Sequence, residues 1–302
     1  MRLTLDALLV LDAIDRKGSF AAAAEELHRV PSAITYTIRK LEQDLDLRLF
    51  DRSGHRATLT EAGQKLLDDG RALLRAANEL EAAVKRSATG WESELRIALT
   101  DILPMDTLFD LVERFYSEHT GTQIRLGSEV LQGNWDALVS GRADITIGAP
   151  GMAPPGGGYH CEKMGSLGFI FVVPPDHPLA ELKGPLDEQE ILAHRAVAAA
   201  DSSRNLPPLT TSLLTGQQVL TVPDMASKIA AHCRGLGVGY VPEFLVREEI
   251  GRGDLLQLEV ATSPPPAELY MAWKTDKKGN AMKWFTERLL EENPWQGLFL
   301  ST

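Results

Sequence analysis

Residues 31–43 read PSAITYTIRKLEQ, and the rest of the chain is organised around them. Ile34, Ile38 and Leu41 fall at i, i+4 and i+7, and Leu45 extends the row, so the stretch is an amphipathic helix with one apolar stripe. At about 100° per residue, Ser32, Thr35, Tyr36, Arg39 and Gln43 lie on the opposite side. That face presents hydroxyls, an aromatic edge, a guanidinium and an amide, groups that can bond base edges and phosphates. Pro31 suits a first helical position, where its missing N–H would be unpaired anyway. Taken alone, the stretch also reads as an ordinary surface helix packed on its stripe.

What precedes it narrows the choice. Residues 19–27, SFAAAAEEL, form a second short helix with Ser19 as N-cap and Phe20, Ala23, Ala24 and Leu27 as its buried stripe. The small alanines let two helices cross closely. Only His28, Arg29 and Val30 separate the helices, which matches the helix-turn-helix, whose second helix enters the major groove. A further helix with Leu3, Leu5, Leu8, Leu9, Val10, Leu11, Ala13 and Ile14 covers the pair. The candidate DNA contacts here are Ser19, Pro31, Ser32, Ala33, Thr35, Tyr36 and Arg39. Residues 48–60, RLFDRSGHRATLT, read as a β-hairpin over Leu49, Phe50 and Leu59, turning at Ser53-Gly54. Its tip presents Arg52, His55 and Arg56, a wing placed to touch the backbone or the minor groove. A solvated hairpin is the alternative.

With these marks in place, the run from Leu3 to Gly63 resembles the N-terminal domain of LysR-type transcriptional regulators. The matching marks are GSFAAAAEEL at 18–27, PSAI at 31–34, IRKLEQDL at 38–45, RLFDR at 48–52 and LTEAG at 59–63. Their wording is most similar to the YhaJ-like branch. The family often has Gln and Arg where this chain has Pro31 and Tyr36, so its usual half-site preference does not carry over unchanged. More loosely, the resemblance extends over the whole chain. It implies a DNA-binding regulator with a two-lobed effector domain.

The 302 residues suffice for two or three domains with real cores, and 44% hydrophobic with 24% charged is ordinary for a globular protein. No apolar run approaches the roughly 20 residues of a membrane span. The N-terminus, MRLTLDALLV, lacks a small-residue cleavage site and reads as a helix, not a signal peptide. Two cysteines fit a reduced cytoplasm, the expected location. A net charge of −11 argues against nucleic acid if taken whole. Residues 1–60, however, hold nine Lys/Arg and nine Asp/Glu, leaving 22 of the 31 basic and 33 of the 42 acidic residues to the remainder. The excess acid lies entirely outside the DNA-binding segment.

From Thr60 a long helix runs to about Ser87, with Thr60 as N-cap and Glu61 favouring the positive end of its dipole. Leu66, Leu73, Ala77, Leu80 and Val84 form a heptad seam in which Gly70 takes one step. A second copy of this helix is the natural partner, and the resemblance favours an antiparallel pair. Ala88-Thr89-Gly90 ends the helix as a hinge. The expected division is therefore a winged helix-turn-helix over 1–60, a dimerisation helix and hinge over 61–90, and an effector domain over 91–302.

Beyond the hinge, strand and helix alternate. Strands at 94–99, 122–128 and 143–148 enclose helices at 104–118 and 133–141, a βαβαβ unit that predicts a parallel sheet covered on both faces. Loop 149–158, APGMAPPGGG, breaks the pattern, and a second set begins near Leu167 with GFIFVVP. It continues through 195–200, helix 223–234, strand 237–241 and helix 242–250; strand 268–273 and helix 281–291 return to the first set. Crossings at about 161–166 and 263–268 make two α/β lobes, about 91–162 with 268–302 and 163–267, as in periplasmic binding proteins and, by resemblance, the LysR effector domain.

Ligands of open parallel sheets sit at the carboxyl ends of the strands. These ends carry Thr100, Asp101, Ser128, Glu129, Ala149, Asp201 and Ser202, and Met225 opens the helix at 223–234. The resemblance carries the effector role to Thr100, Ser128 and Asp201 by position; caps and turn formers are the alternative. No Lys or Arg adjoins Asp101 or Glu129 in the sequence, so a neutral or cationic ligand is expected, such as a hydroxylated aromatic donating to these carboxylates. GLGVG at 235–239 follows a helix and opens a strand, the reverse of a phosphate loop, and reads as a cap and tight turn. His160-Cys161 and His232-Cys233 are neighbours whose side chains diverge, so neither pair chelates easily. No GxSxG, HExxH, P-loop or CxxC occurs, and neither a cofactor nor an enzyme activity is implied. The reading is a cytoplasmic transcriptional regulator. Its expected partners are double-stranded DNA, a small organic effector, a second or further copies as dimer or tetramer, and RNA polymerase. A solute-binding protein without a DNA role is the alternative.

Overall fold

The computed structural model describes residues 3–51, 58–118, 121–276 and 279–300. The chain divides into two compact units, Met1–Ala88 and Thr89–Thr302.

In the first unit, α1 (Leu5–Lys17), α2 (Phe20–Glu26) and α3 (Pro31–Leu45) surround one core. Thr4 caps α1, Gly18 in left-handed conformation ends it, and Ser19 caps α2 by accepting from the N–H of Ala22. Ala23 and Ala24 are fully packed where α2 crosses its neighbours. Ile34, Ile38 and Leu41 are buried, each contributing about 2 kcal/mol of apolar transfer free energy. Leu5 and Leu9, read as cover for the helix pair, instead face outward; Ala7, Leu8, Val10, Leu11, Ala13 and Ile14 make the contact. The strands β1 (Phe50–Asp51) and β2 (Thr58–Leu59) pair antiparallel as the base of the hairpin. Its tip, with Arg52, Ser53, Gly54, His55 and Arg56, lies outside the described residues.

The helix α4 (Glu61–Thr89) carries two unlike stripes. Leu67 is buried in the first unit's core, and Gly70 faces α1, where an added Cβ would stand 2.7 Å from Leu8. Leu66 also packs against that core, so Leu66 and Gly70 belong to the inner stripe and not to the heptad seam. Leu73, Leu80 and Val84 are 50%, 67% and 64% exposed, and line the outer stripe.

The second unit has two lobes. Lobe 1 is a five-stranded sheet in the order β4-β3-β5-β12-β6, formed by β3 (Glu94–Thr100), β4 (Gln123–Glu129), β5 (Ile145–Pro150), β6 (Tyr159–Leu167) and β12 (Ala267–Lys274). The helices α5 (Asp106–Glu118), α6 (Gly133–Val139) and α10 (Asn280–Glu292) complete it, with Leu108, Leu111, Phe115, Phe285 and Leu289 buried against the strands. Lobe 2 holds β7 (Phe169–Val173), α7 (Glu188–Leu192), β8 (Ala196–Ala199), β9 (Val219–Val222), α8 (Met225–Cys233), β10 (Gly239–Pro242), α9 (Arg247–Arg252) and β11 (Leu256–Leu258). β7 lies between β10 and β11; β8 and β9 form a parallel pair that a bridge from Ala196 to Val238 links to the segment before β10.

Neither sheet is purely parallel. β12 runs antiparallel to β5 and β6, and β7 runs antiparallel to β10 and β11. Both exceptions have one cause: each is the first strand after a crossing, so it carries the chain away from the cleft while its neighbours run towards it. The segment at 161–166, expected as a bare crossing, is the body of β6, an edge strand that pairs along its whole length with β12.

Candidate functional site

On α3, the sequence places Pro31, Ser32, Tyr36, Arg39, Lys40 and Gln43 on the exposed side, opposite the buried stripe. Tyr36 is 66% exposed. Ala33 and Thr35 are half-buried, and the Thr35 hydroxyl donates to the carbonyl of Pro31 at 3.0 Å, so its methyl is the freer group. Ser19 is exposed, with its oxygen engaged in capping α2. Arg16, Lys17 and Arg29 are tied to Asp12, Glu26 and Asp6, and Arg71 of α4 to Asp12 and Asp15. Pairing thus neutralises much of the acid of α1 and α2. Among the described residues, no ion pair engages Arg39 or Lys40 on the α3 face.

Between the lobes lies a cavity of about 600 Å³, a usual size for a small organic ligand. Thr100, Asp101, Asp201 and Met225 line it, together with Ile102, Val130, Leu131, Phe169, Leu209, Tyr240 and Leu269 as apolar walls. The N–H of Met225, at the start of α8, donates to Asp101 Oδ2 at 2.8 Å. Burial, with Asp224 nearby, pushes the Asp101 carboxyl up to about 6 against the pull of that N–H. Lys228 also lines the cavity and is 8% exposed; burial pulls its ammonium down to about 8, opposed by Asp101. One turn on, His232 is fully buried, its Nδ1 2.9 Å from the carbonyl of Gly237, and burial takes it down to about 4.

Four expected effector residues lie elsewhere. Ser128 is exposed on the edge strand β4. Glu129 turns from the cavity to bond Arg142 and the Ser202 hydroxyl, the latter at 2.5 Å. Ser202 is spent on that contact and on the N–H of Val130. Ala149 is buried with Trp135, Leu138 and Ala272, while its neighbours Gly148 and Pro150 reach the cavity. The expectation of a cleft with two carboxylates and no cation is therefore corrected: Glu129 is absent from the lining and Lys228 is present. A signal for Lys228 exists in MASKIAAHC, where it stands three residues after Met225 on the buried stripe of α8. A lysine on an apolar stripe needs a polar reason to be there.

The two His-Cys pairs behave as side chains of packing. His160 stacks on Trp273, Cys161 packs against the cluster of Trp135, and Cys233 joins the core of lobe 2. Burial, followed by nearby Glu162 or Glu249, pushes both thiols up, away from a reactive thiolate. GLGVG forms the end of α8, with Gly235 in left-handed conformation, and the entry to β10.

Residues 5–64 match the bacterial regulatory helix-turn-helix protein, lysR family, and residues 88–294 match the LysR substrate binding domain. The chain belongs to the LysR family of transcriptional regulators. It is 42% identical over 282 residues to the probable HTH-type transcriptional regulator YhaJ of Escherichia coli (strain K12), covering 93% of this chain and 94% of that one. It is 37% identical over 299 residues to the regulator YeeY of the same strain, covering 99% and 97%. Its fold is that of the full-length virulence activator AphB of Vibrio cholerae, with a TM-score of 0.59 at 20% identity, covering 96% and 99%. This LysR-family member is accordingly a DNA-binding transcriptional regulator with an effector-binding domain, not a solute-binding protein. Among the described residues, no helix is long and apolar enough to cross a membrane.

Proposed function

We propose that this regulator acts in the cytoplasm, reads a partly palindromic DNA site with the exposed face of α3, and is controlled by a small organic effector in the cavity between the lobes. The observation that carries the DNA reading is the division of α3: Ile34, Ile38 and Leu41 are buried, and Ser32, Tyr36 and Arg39 face out opposite them. Ser32, Ala33, Thr35 and Tyr36 contact bases; Arg39, with Arg52, His55 and Arg56 of the wing, contacts the phosphate backbone. Pairing through the outer stripe of α4 gives a dimer, or a tetramer built from dimers, and RNA polymerase is the machinery the bound regulator addresses. The effector shifts the arrangement of the DNA-binding units only through different affinities for the two arrangements. The cavity lining supports a hydroxylated aromatic. Its ring packs on Phe169, Tyr240 and Ile102, its hydroxyl bonds Asp101 and Thr100, and a single acidic group is accommodated beside Lys228.

Fluorescence anisotropy on genomic fragments tests the DNA reading. Tyr36→Ala should change which fragments are preferred, and Arg39→Ala should weaken all of them alike while lowering the salt slope by about 1. Unaltered affinity and preference in Tyr36→Ala would place the groove-reading face elsewhere. Thermal shift over a panel of small aromatics tests the effector class, with Lys228→Met expected to abolish any response confined to acidic members.

A further inference from the structure

The chain crosses between the lobes twice, where β6 leads into β7 and where the proline run at 264–266 leads into β12. A third connection is made by side chains. Leaving β8 of lobe 2, residues 200–209 run onto lobe 1 and return to β9. Along this path the N–H groups of Arg204, Asn205 and Leu206 all donate to the carboxylate of Asp136 on α6, at 3.2, 2.9 and 3.0 Å. Asp136 is 1% exposed and also accepts from Arg142 at 3.0 Å. Burial alone would raise its carboxyl; Arg142 and the three backbone donors hold it below its usual range.

Further hydrogen bonds extend the seam. The Val130 N–H donates to the Ser202 hydroxyl at 2.9 Å, and the Ser202 N–H donates to the Val130 carbonyl at 3.2 Å. The Gln132 N–H donates to Asp201 at 3.0 Å, and the same carboxylate accepts from Leu209 at 2.7 Å. Leu206 packs on the cluster that contains Trp135. Gly133 makes the approach possible, because a Cβ there would overlap the Ser202 hydroxyl. Across the cavity, the bond from Met225 to Asp101 ties α8 to lobe 1 as well.

We infer that residues 200–209 are a third, non-covalent crossing that fixes the opening between the lobes, with Asp136 as its positioning residue. A carboxylate fully engaged by three backbone donors and a guanidinium cannot be released without stranding buried charge, so the lobes do not hinge freely about the two covalent crossings. The same segment supplies Ala200, Asp201, Pro208 and Leu209 to the cavity wall. Asp136, which touches no part of the cavity, therefore sets its width. The consequence for effector binding rests on the cavity being the effector site; the mechanical claim does not, and is tested without any effector.

The test is single-molecule energy transfer in the full-length chain, with dyes on Asp110→Cys in lobe 1 and Gln189→Cys in lobe 2. Cys161→Ser and Cys233→Ser remove the native thiols, and an excess of unlabelled protein removes signals between protomers. The parent should give one narrow distribution. Asp136→Ala should broaden or split it and speed amide exchange at 204–206 at least tenfold. Leu289→Ala, which weakens the core of lobe 1 generally, should leave the distribution narrow. Faster exchange at 204–206 with an unchanged distribution would overturn the inference, as would unchanged exchange. Should Asp136→Ala fail to fold, Ser202→Ala is read in the same way, with Val130 as the amide followed.

Discussion

Asp101 and Lys228 share one cavity wall but reach it from positions 127 residues apart, one at the end of a lobe 1 strand and the other on a lobe 2 helix. Each is pushed towards its neutral form by burial, and each steadies the charge of the other. The sign of the resulting pH dependence follows from Asp101. Its folded value of about 6 exceeds the ordinary 3.8, so the folded state holds the proton more tightly than the unfolded chain. Its contribution is fully present below about pH 4 and is lost as the pH rises through about 6. Asp101→Asn keeps an oxygen to accept the Met225 N–H. Its melting temperature should match that of the parent at pH 4 and exceed it at pH 7; a difference that does not grow with pH would mean Asp101 is better solvated than its place in the wall implies. Strand ends were enough to find Asp101, Thr100 and Asp201 in the sequence. Lys228 leaves only the trace of a lysine on an apolar stripe and Asp136 leaves none, because what gives each its role is a partner across the lobes. Ser128 and Glu129 misled for a local reason: β4 is the sheet edge, so one points to solvent and the other is drawn off by Arg142.

Among the elements, α4 shows how one helix serves two surfaces. Leu67 and Gly70 pack inward on the first unit, and Leu73, Leu80 and Val84 stand a stripe away, half or more exposed. A row of large apolar side chains on a helix is unfavourable in water and complete only against another such row. Leu73→Asp with Leu80→Asp should therefore leave the monomer folded, since both positions are already exposed, while an unpaired charge buried in the pair costs several kcal/mol. Sedimentation should show monomers with an unchanged far-ultraviolet spectrum; a dimer that persists would move the interface to another surface. Periodicity groups Leu73, Leu80 and Val84 into one row, but an exposed stripe and a buried stripe look alike in sequence. For the same reason it puts Leu66 and Gly70, which face the first unit's core, into the outer row. β6, with its run YHCEKMGSL, gave no strand signal, since an edge strand with one pairing partner buries few of its side chains.

At the scale of the whole molecule, charge and packing divide the chain at the same place. Residues 1–88 hold 14 Lys/Arg and 14 Asp/Glu, so 17 of the 31 basic and 28 of the 42 acidic residues lie in 89–302. The second unit thus carries the entire net charge of −11, and each unit has a core of its own. A negative body repels the phosphate backbone, so affinity for DNA must come from the first unit, with Arg39 and Lys40 on the face of α3. The second unit has several apolar clusters of its own, so a fragment of residues 89–302 should keep its structure. We expect that fragment to melt cooperatively and to show the same ligand-induced thermal shift as the full chain. It should bind no DNA in anisotropy even at low salt, where screening is weakest. A fragment that melts without cooperativity would show that its fold depends on the first unit. One that still bound DNA would show that the effector domain carries a basic surface despite its charge, and the assignment of readout to α3 would have to be shared with it.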